Sequence, residues 1–201
     1  MNERFVEPEQ LDHLPADHPE AVRSRRDLRI INAMLGTRRW LEKRIPVGAA
    51  VLELGAGDGS MCRGSSWTGL DLAPRPIDLP QACSWVQGDM FDASNWPKVG
   101  VIVANLFLHH FNEDQLQWLG QQIRRSCGLF LACEPRRHPL PMASGALLAT
   151  LCDFSPVTWN DMMISIRAGF RGAELADALG FNSGFRVSET LLGSYRLEVH
   201  L

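Results

Sequence analysis

A glycine-rich turn that follows a short apolar strand is the segment best suited to chemistry in this sequence. Residues 51–59 read VLELGAGDG, so a strand carrying Glu53 near its end leads into Gly55, Gly57 and Gly59. Glycine has no Cβ, and a turn built from it lets backbone amides approach a ligand closely. Because a carboxylate beside the turn repels phosphate, the segment predicts a ligand that is cationic or rich in hydroxyl groups.

Titratable side chains recur where later apolar runs end. Asp71 closes the second run, where a carboxylate accepts hydrogen bonds from both hydroxyls of a ribose, although a helix cap or solvated turn is the alternative. Asp89 closes the third run, and its alternative is an ordinary loop aspartate. His109 and His110 follow the fourth run, and either is suited to remove a proton from a phenol or a similar acidic hydroxyl. A structural histidine is the alternative for each, and the sequence does not choose between them.

The elements that must position these residues are indicated by five apolar runs with little alternation. Such runs are typical of strands buried on both faces of a parallel sheet. Helical periodicity predicts a crossover helix over 114–126, while 57–67 and 73–83 are too short or too proline-rich to hold full helices. Near the C-terminal end, 185–191 and 195–201 alternate and flank a Gly-Ser turn signal, which predicts a hairpin. We therefore expect an α/β fold, with a mostly parallel sheet that ends in a C-terminal antiparallel hairpin. The five runs are Ala50–Leu54, Trp67–Leu72, Ser84–Gln87, Val99–Leu106 and Leu129–Cys133.

Residues 1–45 differ in character from the rest of the chain. The first 20 residues or so are polar and contain three prolines, which predicts an arm or loop. From 24 to 44, apolar positions recur at helical spacing and are interrupted by Gly36, which predicts two short helices. The segment should cover the candidate site of a core that extends over 46–201.

Composition restricts the class of protein. The chain has 201 residues and a formal net charge of −3, which argues against an obligate nucleic-acid binder. Its five cysteines are dispersed without a CxxC pair and predict reduced thiols. No apolar core of a signal peptide and no run long enough to span a bilayer is visible, so we expect a cytoplasmic location. The oligomeric state stays open.

Metal binding is not expected from the sequence. No HxxxH motif and no carboxylate cluster with ligand spacing occurs, and His109-His110 has no evident third ligand nearby in the chain.

Four blocks, taken together, resemble class I S-adenosylmethionine-dependent methyltransferases. The likeness covers about residues 50–135 and implies a Rossmann-like class I methyltransferase sheet of seven strands, the last inserted antiparallel. It also implies S-adenosylmethionine as methyl donor and S-adenosylhomocysteine as product. The segments 25–29, 134–137 and 165–171 are similar to a bacterial small-molecule branch of that family. The blocks are Glu53-Leu-Gly-Ala-Gly-Asp-Gly59, Gly69-Leu-Asp71-Leu, Gly88-Asp89-Met-Phe and Asn105-Leu-Phe-Leu-His-His-Phe111.

The resemblance implies a set of residues around the donor. The glycine turn lies against the methionine moiety and contributes Gly55, Ala56 and Gly57. Glu53 orders this turn or receives the ammonium. Asp71 and Leu72 lie at the ribose, and Asp89 and Met90 lie at the adenine. Main-chain groups of Asn105 and Leu106 face the transferring methyl. The set is Glu53, Gly55, Ala56, Gly57, Asp71, Leu72, Asp89, Met90, Asn105 and Leu106.

Substrate contacts are expected from an insertion around 138–172, which often lines the pocket in this family. Arg137, Asp161 and Arg167 are weak candidates, with a solvated loop as the alternative for Arg137 and an N-cap for Asp161. The apolar run Met142–Leu151 is predicted to be a core helix rather than a pocket wall.

The residues therefore favour methyl transfer to a small molecule, most simply O-methylation of a phenolic or polyketide-like hydroxyl. N- or C-methylation by the same fold and a non-catalytic donor-binding protein are the alternatives. A nicotinamide dinucleotide is disfavoured because the turn lacks the GxGxxG spacing and carries Asp58. Methylation of nucleic-acid bases is disfavoured because no Asn/Asp-Pro-Pro-aromatic run follows the fourth strand.

Overall fold

A seven-stranded sheet forms the centre of the computed structural model, which describes residues 3–15, 17–64 and 66–201. The strands are β1 Val51–Leu54, β2 Trp67–Asp71, β3 Ser84–Gln87, β4 Val101–Asn105, β5 Leu129–Pro135, β6 Phe185–Glu189 and β7 Ser194–His200. They lie in the order β3-β2-β1-β4-β5-β7-β6. Strands β1 to β5 are parallel, whereas β7 runs antiparallel to both β5 and β6. The predicted α/β architecture with a C-terminal hairpin is confirmed.

Helices flank the sheet, and among the described residues they lie in the connections from β4 to β5 and from β5 to β6 as well as before β1. Within the described residues they are α1 Pro19–Leu35, α2 Thr37–Glu42, α3 Glu113–Ser126, α4 Pro139–Leu151, α5 Pro156–Ala168 and α6 Glu174–Ala178, with 3-10 turns at Leu11–His13, Ala93–Asn95 and Leu108–His110. In this part of the chain, the links from β1 to β2 and from β2 to β3 hold no helix, as their length and prolines predict. No helix among these residues combines the length and apolarity that a membrane crossing requires.

An apolar core lies on each face of the sheet. Successive residues of a strand point to opposite faces, so β1 contributes to both cores. On one face Leu52 belongs to a cluster that includes Leu119 of α3, and on the other Val51 belongs to a cluster that includes Trp40 of α2. Full burial of a leucine stabilises the fold by about 1.5–3 kcal/mol. The alternation also places Glu53 on the same face as Val51.

The predicted pair of N-terminal helices is present, but α1 starts earlier than the apolar periodicity indicates. Pro19 occupies the first helical position, where a missing N–H has little cost, and the His18 ring accepts a hydrogen bond from the Glu20 amide at 3.3 Å. Gly36, with φ +65°, ends α1 and begins α2. The buried Asp27 carboxylate connects α1 to α5, because it accepts hydrogen bonds from the amide of Ser155 at the start of α5 and from the hydroxyl of Thr158.

The insertion around 138–172 differs from two expectations. The prediction that Met142–Leu151 is a core helix is wrong: it forms most of α4, but Leu147 is 62% and Leu151 is 74% exposed. This helix packs along α5, which covers only one side of it. Asp161 is not an N-cap, because it lies inside α5, and Ser155 caps that helix by accepting from the Thr158 amide at 3.1 Å.

Candidate functional site

The glycine turn leaves β1 at the carboxyl edge of the sheet and connects directly to β2. Gly55 and Gly57 have φ of +61° and +55°, a left-handed conformation that favours glycine. The Gly55 amide donates to the Leu70 carbonyl oxygen at 2.9 Å, and the buried Ala56 donates to the same oxygen at 3.3 Å. A Cβ built on Gly57 would meet no atom within 4 Å, so the outer side of the turn is open.

Asp71 holds the turn from the end of β2. One carboxylate oxygen accepts the Gly57 amide at 2.7 Å and the other accepts the Ala73 amide at 2.8 Å. A carboxylate oxygen has two lone pairs, so each of these oxygens keeps capacity for one more donor. The side chain is partly exposed, and it can therefore accept hydrogen bonds from a ligand lying across the turn.

Glu53 lies beneath the turn rather than on its open side. Its carboxyl accepts hydrogen bonds from the Trp67 indole at 3.0 Å and from the Cys62 thiol at 3.4 Å, and the residue is buried. Burial disfavours the charged form and raises the pKa of Glu53 to about 8, despite these two hydrogen bonds. Most Glu53 side chains are therefore protonated at neutral pH.

The ends of β2 and β3 bring residues expected at the ribose and at the adenine to one edge of the sheet, with one exception. Asp89 is exposed, and its carboxylate accepts the Phe91 amide at 2.9 Å. Leu72 is 67% exposed. Met90 is buried in the core, and its carbonyl oxygen accepts a hydrogen bond from the Trp96 indole at 2.7 Å. Asp89 and Leu72 thus offer an open surface, whereas Met90 packs in the core.

The backbone after β4 is strained. Leu106 adopts φ +51°, and a residue other than glycine in this conformation costs about 1–3 kcal/mol. The buried side-chain oxygen of Asn105 has no hydrogen-bond partner among the described residues. The ring of Phe107 lies against Gly55, so closely that a methyl group on that glycine would overlap it. Backbone strain and an unpaired buried polar atom are typical of ligand sites.

His109 lies between two carboxylates. Its Nδ1 is 2.7 Å from a Glu134 oxygen and its Nε2 is 3.3 Å from a Glu9 oxygen. Burial by itself lowers the pKa of His109, but the bonds to Glu134 and Glu9 outweigh this effect and raise the pKa to about 9. An imidazole in this environment keeps its second proton at neutral pH, so His109 donates hydrogen bonds to both carboxylates.

His110 stacks beside His109, with ring centroids 4.3 Å apart and planes inclined by 33°. Burial and the neighbouring charge of His109 lower the pKa of His110, although Glu9 and Asp12 act in the opposite direction. His110 is consequently neutral at pH 7 and able to accept a proton. The two histidines have opposite properties although they are adjacent in sequence.

The N-terminal arm closes over this pair. Arg4 donates to the carbonyl oxygens of His109 at 2.8 Å and Phe111 at 2.7 Å, which fastens the arm to the turn after β4. Asp161 on α5 accepts the amides of Gln10 and Leu11 at 2.8 and 2.9 Å. These bonds bring the Glu9 side chain to His109.

Solved structures share the overall fold of this chain. No protein-family model and no curated protein matches the sequence. The chain is similar to the plantazolicin methyltransferase BamL, solved with a triazolic desmethylPZN analogue and SAH (TM-score 0.66, 14% identity, 90% of this chain and 75% of that chain). It is also similar to human N-acetylserotonin methyltransferase, solved with SAM (TM-score 0.58, 17% identity, 96% of this chain and 62% of that chain). The chain has the class I methyltransferase fold.

In this class I methyltransferase fold, two of the three expected substrate residues, Arg137 and Asp161, bind other parts of the protein. Arg137 is buried, and its guanidinium donates to the Gly169 carbonyl oxygen at 2.7 Å and pairs with Glu174 at 2.6 Å. Asp161 binds the arm, as described above. Arg167 is about half exposed and lies 3.8 Å from Glu7 of the arm.

Three residues of this site are absent from the sequence-based set. Glu9 lies in a polar arm that offers no periodicity, and only the fold brings it to a histidine 100 positions away. Phe107 belongs to the block after β4, but its type alone did not distinguish it from a core aromatic residue. Glu134 had a detectable signal, since it is an acidic residue at the carboxyl end of the fifth predicted strand.

Proposed function

We propose that this protein transfers a methyl group from S-adenosylmethionine to a small molecule, most simply to a phenolic or polyketide-like hydroxyl. The observation that carries the proposal is the pairing of the Gly57 amide with the Asp71 carboxylate across the ends of β1 and β2, with the outer side of the turn open. The matched methyltransferase structures contain SAH or SAM, which supports the same donor here.

The chain has groups that fit each part of the donor. Backbone atoms of Gly55, Ala56 and Gly57 would contact the methionine moiety. Asp71 would accept the ribose hydroxyls, with Leu72 beside it, and Asp89 with Met90 would lie at the adenine. Asn105 and Leu106, where the backbone is strained and a buried oxygen is unpaired, would face the reacting carbon, and Glu53 would support the turn from below. When bound, S-adenosylmethionine supplies a methyl group already activated by a sulfonium.

A cation also reaches the turn from α1. Arg29 pairs with the Asp58 carboxylate of the glycine turn at 2.8 Å. The donor carries a carboxylate on its methionine moiety, and a guanidinium is well suited to bind carboxylates. Arg29 is therefore a further donor-binding residue in this proposal.

On the acceptor side, the histidine pair would activate the hydroxyl. His109 keeps its proton between Glu9 and Glu134, whereas the neutral His110 is free to take one. An apolar groove of about 570 Å³ lies between α4 and α5, lined in part by Phe154 and Trp159. None of the described residues that line this groove belongs to the histidine pair or the glycine turn, so the position of the acceptor in this proposal is taken from His110.

Donor binding should depend on the open side of the turn. We expect Gly57→Ala to weaken S-adenosylhomocysteine binding in calorimetry by about tenfold or more, because a methyl group would project into the donor. Asp71→Asn should have an effect of about 10- to 100-fold, since hydrogen bonds to a charged group contribute about 1.5–3 kcal/mol. The wild-type protein should bind S-adenosylhomocysteine, and absence of heat would contradict the proposal.

Matched variants separate binding from stability. Gly48 also has a left-handed φ of +78° and nothing within 4 Å of an added Cβ, but it precedes β1. Gly48→Ala and Gly57→Ala should therefore lose similar stability, about 1–2 kcal/mol, while only the latter loses affinity. Asp92→Asn, in an exposed turn cap, is the control for Asp71→Asn. Equal affinities within either pair would remove these residues from the donor site.

Turnover distinguishes an enzyme from a non-catalytic donor-binding protein. With a panel of phenols and polyketide-like hydroxyl compounds, we expect S-adenosylhomocysteine to form and methylated product to appear. His110→Ala should lower this rate by about 100-fold or more, the range of general acid–base catalysis. A panel in which amines or carbon nucleophiles react instead, with no effect of His110→Ala, would favour N- or C-methylation.

A further inference from the structure

Three side chains with metal-ligating atoms meet at the turn after β4, one from the N-terminal arm and two from the turn itself. Glu9, His109 and His110 each offer one ligand atom, and these atoms all lie within 4.8 Å of one another. The sequence shows no third ligand near His109-His110 in the chain, and the fold brings Glu9 of the arm to this pair. A set of two imidazoles and one carboxylate is typical of zinc and related transition metals.

The distances around His109 differ between its two sides. On the Glu134 side, 2.7 Å between nitrogen and oxygen is an ordinary charge-assisted hydrogen bond. On the Glu9 side the corresponding distance is 3.3 Å, which is long for such a bond. Two ligand atoms at ordinary nitrogen and oxygen distances from a tetrahedral zinc ion lie about 3.3 Å apart. The Glu9 side therefore has the spacing of two ligands of one ion.

Glu134 gives His109 the orientation that a ligand needs. It binds the Nδ1 side of the ring, which directs Nε2 towards Glu9. Glu134 is itself fixed, because it also accepts the backbone amides of Phe107 at 3.1 Å and Leu108 at 2.9 Å. Metal-binding histidines commonly carry such a carboxylate on their second nitrogen, and it sets the tautomer and the ring orientation.

The charge of the cluster also suits a cation. Glu9 and Glu134 flank His109, and the Asp12 carboxylate lies 3.8 Å from Nδ1 of His110. The Glu9 carboxylate is further held by the hydroxyl of Ser165 on α5. Three carboxylates around two imidazoles leave room for a divalent ion once the proton between His109 and Glu9 leaves to solvent.

We propose that Glu9, His109 and His110 bind a divalent transition-metal ion of the zinc class and leave a coordination position open for an oxygen ligand. Metal binding itself does not depend on the proposed function. If methyl transfer to a hydroxyl is correct, the open position would bind the acceptor oxygen and lower its pKa, so that the histidine pair would act through the ion.

The test is a titration of the chelator-treated full chain with Zn²⁺, and with Co²⁺ as a spectroscopic substitute. We expect one ion per chain and visible absorption typical of tetrahedral cobalt. Glu9→Gln and His110→Ala should each weaken binding by about 100-fold or more, because even partners behind the ligands contribute 10- to 100-fold. Glu7→Gln and His200→Ala, which alter a partly exposed residue of the arm and an exposed histidine, should leave the affinity unchanged.

Each outcome decides the proposal. Sub-stoichiometric binding, or equal affinities in all four variants, would overturn it and leave the cluster as a hydrogen-bonded network. Calorimetry with S-adenosylhomocysteine on the same samples shows whether each variant is folded. Because that measurement is separate, a wild-type chain that binds donor but no metal contradicts the metal site alone, and one that binds metal but no donor contradicts only the proposed function.

Discussion

Replacing Glu134 with alanine is expected to lower the free energy of unfolding by about 3–5 kcal/mol at pH 7, the range for breaking a buried charge pair. Glu134 is fully buried at the end of β5 and binds both the His109 ring and the backbone of the turn after β4. Its removal leaves the amides of Phe107 and Leu108 without their acceptor and His109 with only Glu9 as partner. Denaturant unfolding monitored by tryptophan fluorescence measures the change.

The comparison requires a chelator throughout, so that bound metal does not contribute to stability. Glu20→Ala is the control, because Glu20 forms a partly exposed ion pair with Arg23 at 3.5 Å in the first turn of α1. Such surface pairs contribute about 0–1 kcal/mol. If Glu134→Ala were no more destabilising than this control, the imidazole would not be charged in the folded protein, and the account of His109 given above would be wrong.

The strands and their carboxyl edge could be predicted from the sequence because local signals determine them. β4 is apolar at Val101–Ala104, as a strand covered on both faces must be, and it ends at Asn105, where the polar site begins. The glycine turn was recognisable because Gly55 and Gly57 need a backbone conformation that few other residues adopt. Periodicity and turn chemistry are properties of neighbouring residues, and a sequence displays them directly.

The histidine cluster could not be predicted, because it depends on contacts between distant segments. Nothing near His109 indicates that Glu134 and Glu9 will hold its proton, or that the adjacent His110 will stay neutral. The exposure of α4 has a similar cause. Apolar composition indicates that Leu147 favours burial, but whether a neighbouring element covers it is decided by packing of the whole insertion.

Stability should fall as pH rises from 4.5 to about 8, and Glu53→Gln should remove much of this loss. The folded pKa of Glu53 is about 8, against 4.5 for the ordinary glutamate. Above pH 4.5 the unfolded chain loses this proton while the folded chain keeps it, so the unfolded state is increasingly favoured until about pH 8. A shift of this size corresponds to about 4–5 kcal/mol. We expect the difference in unfolding free energy between variant and wild type to change by that order across the window.

Titration of other groups contributes equally to the unfolding free energies of the wild type and of Glu53→Gln, so it cancels in their difference. For Glu42→Gln, at the exposed end of α2, the unfolding free energy should instead differ from that of the wild type by a constant amount at every pH. Parallel curves for Glu53→Gln as well would mean that Glu53 is ionised in the folded state and that the Trp67 and Cys62 bonds compensate its burial. The result also bears on the proposed donor site: a neutral Glu53 would place no charge near the methionine moiety, so Asp71 and Asp58 would be the anions that a cationic donor meets first.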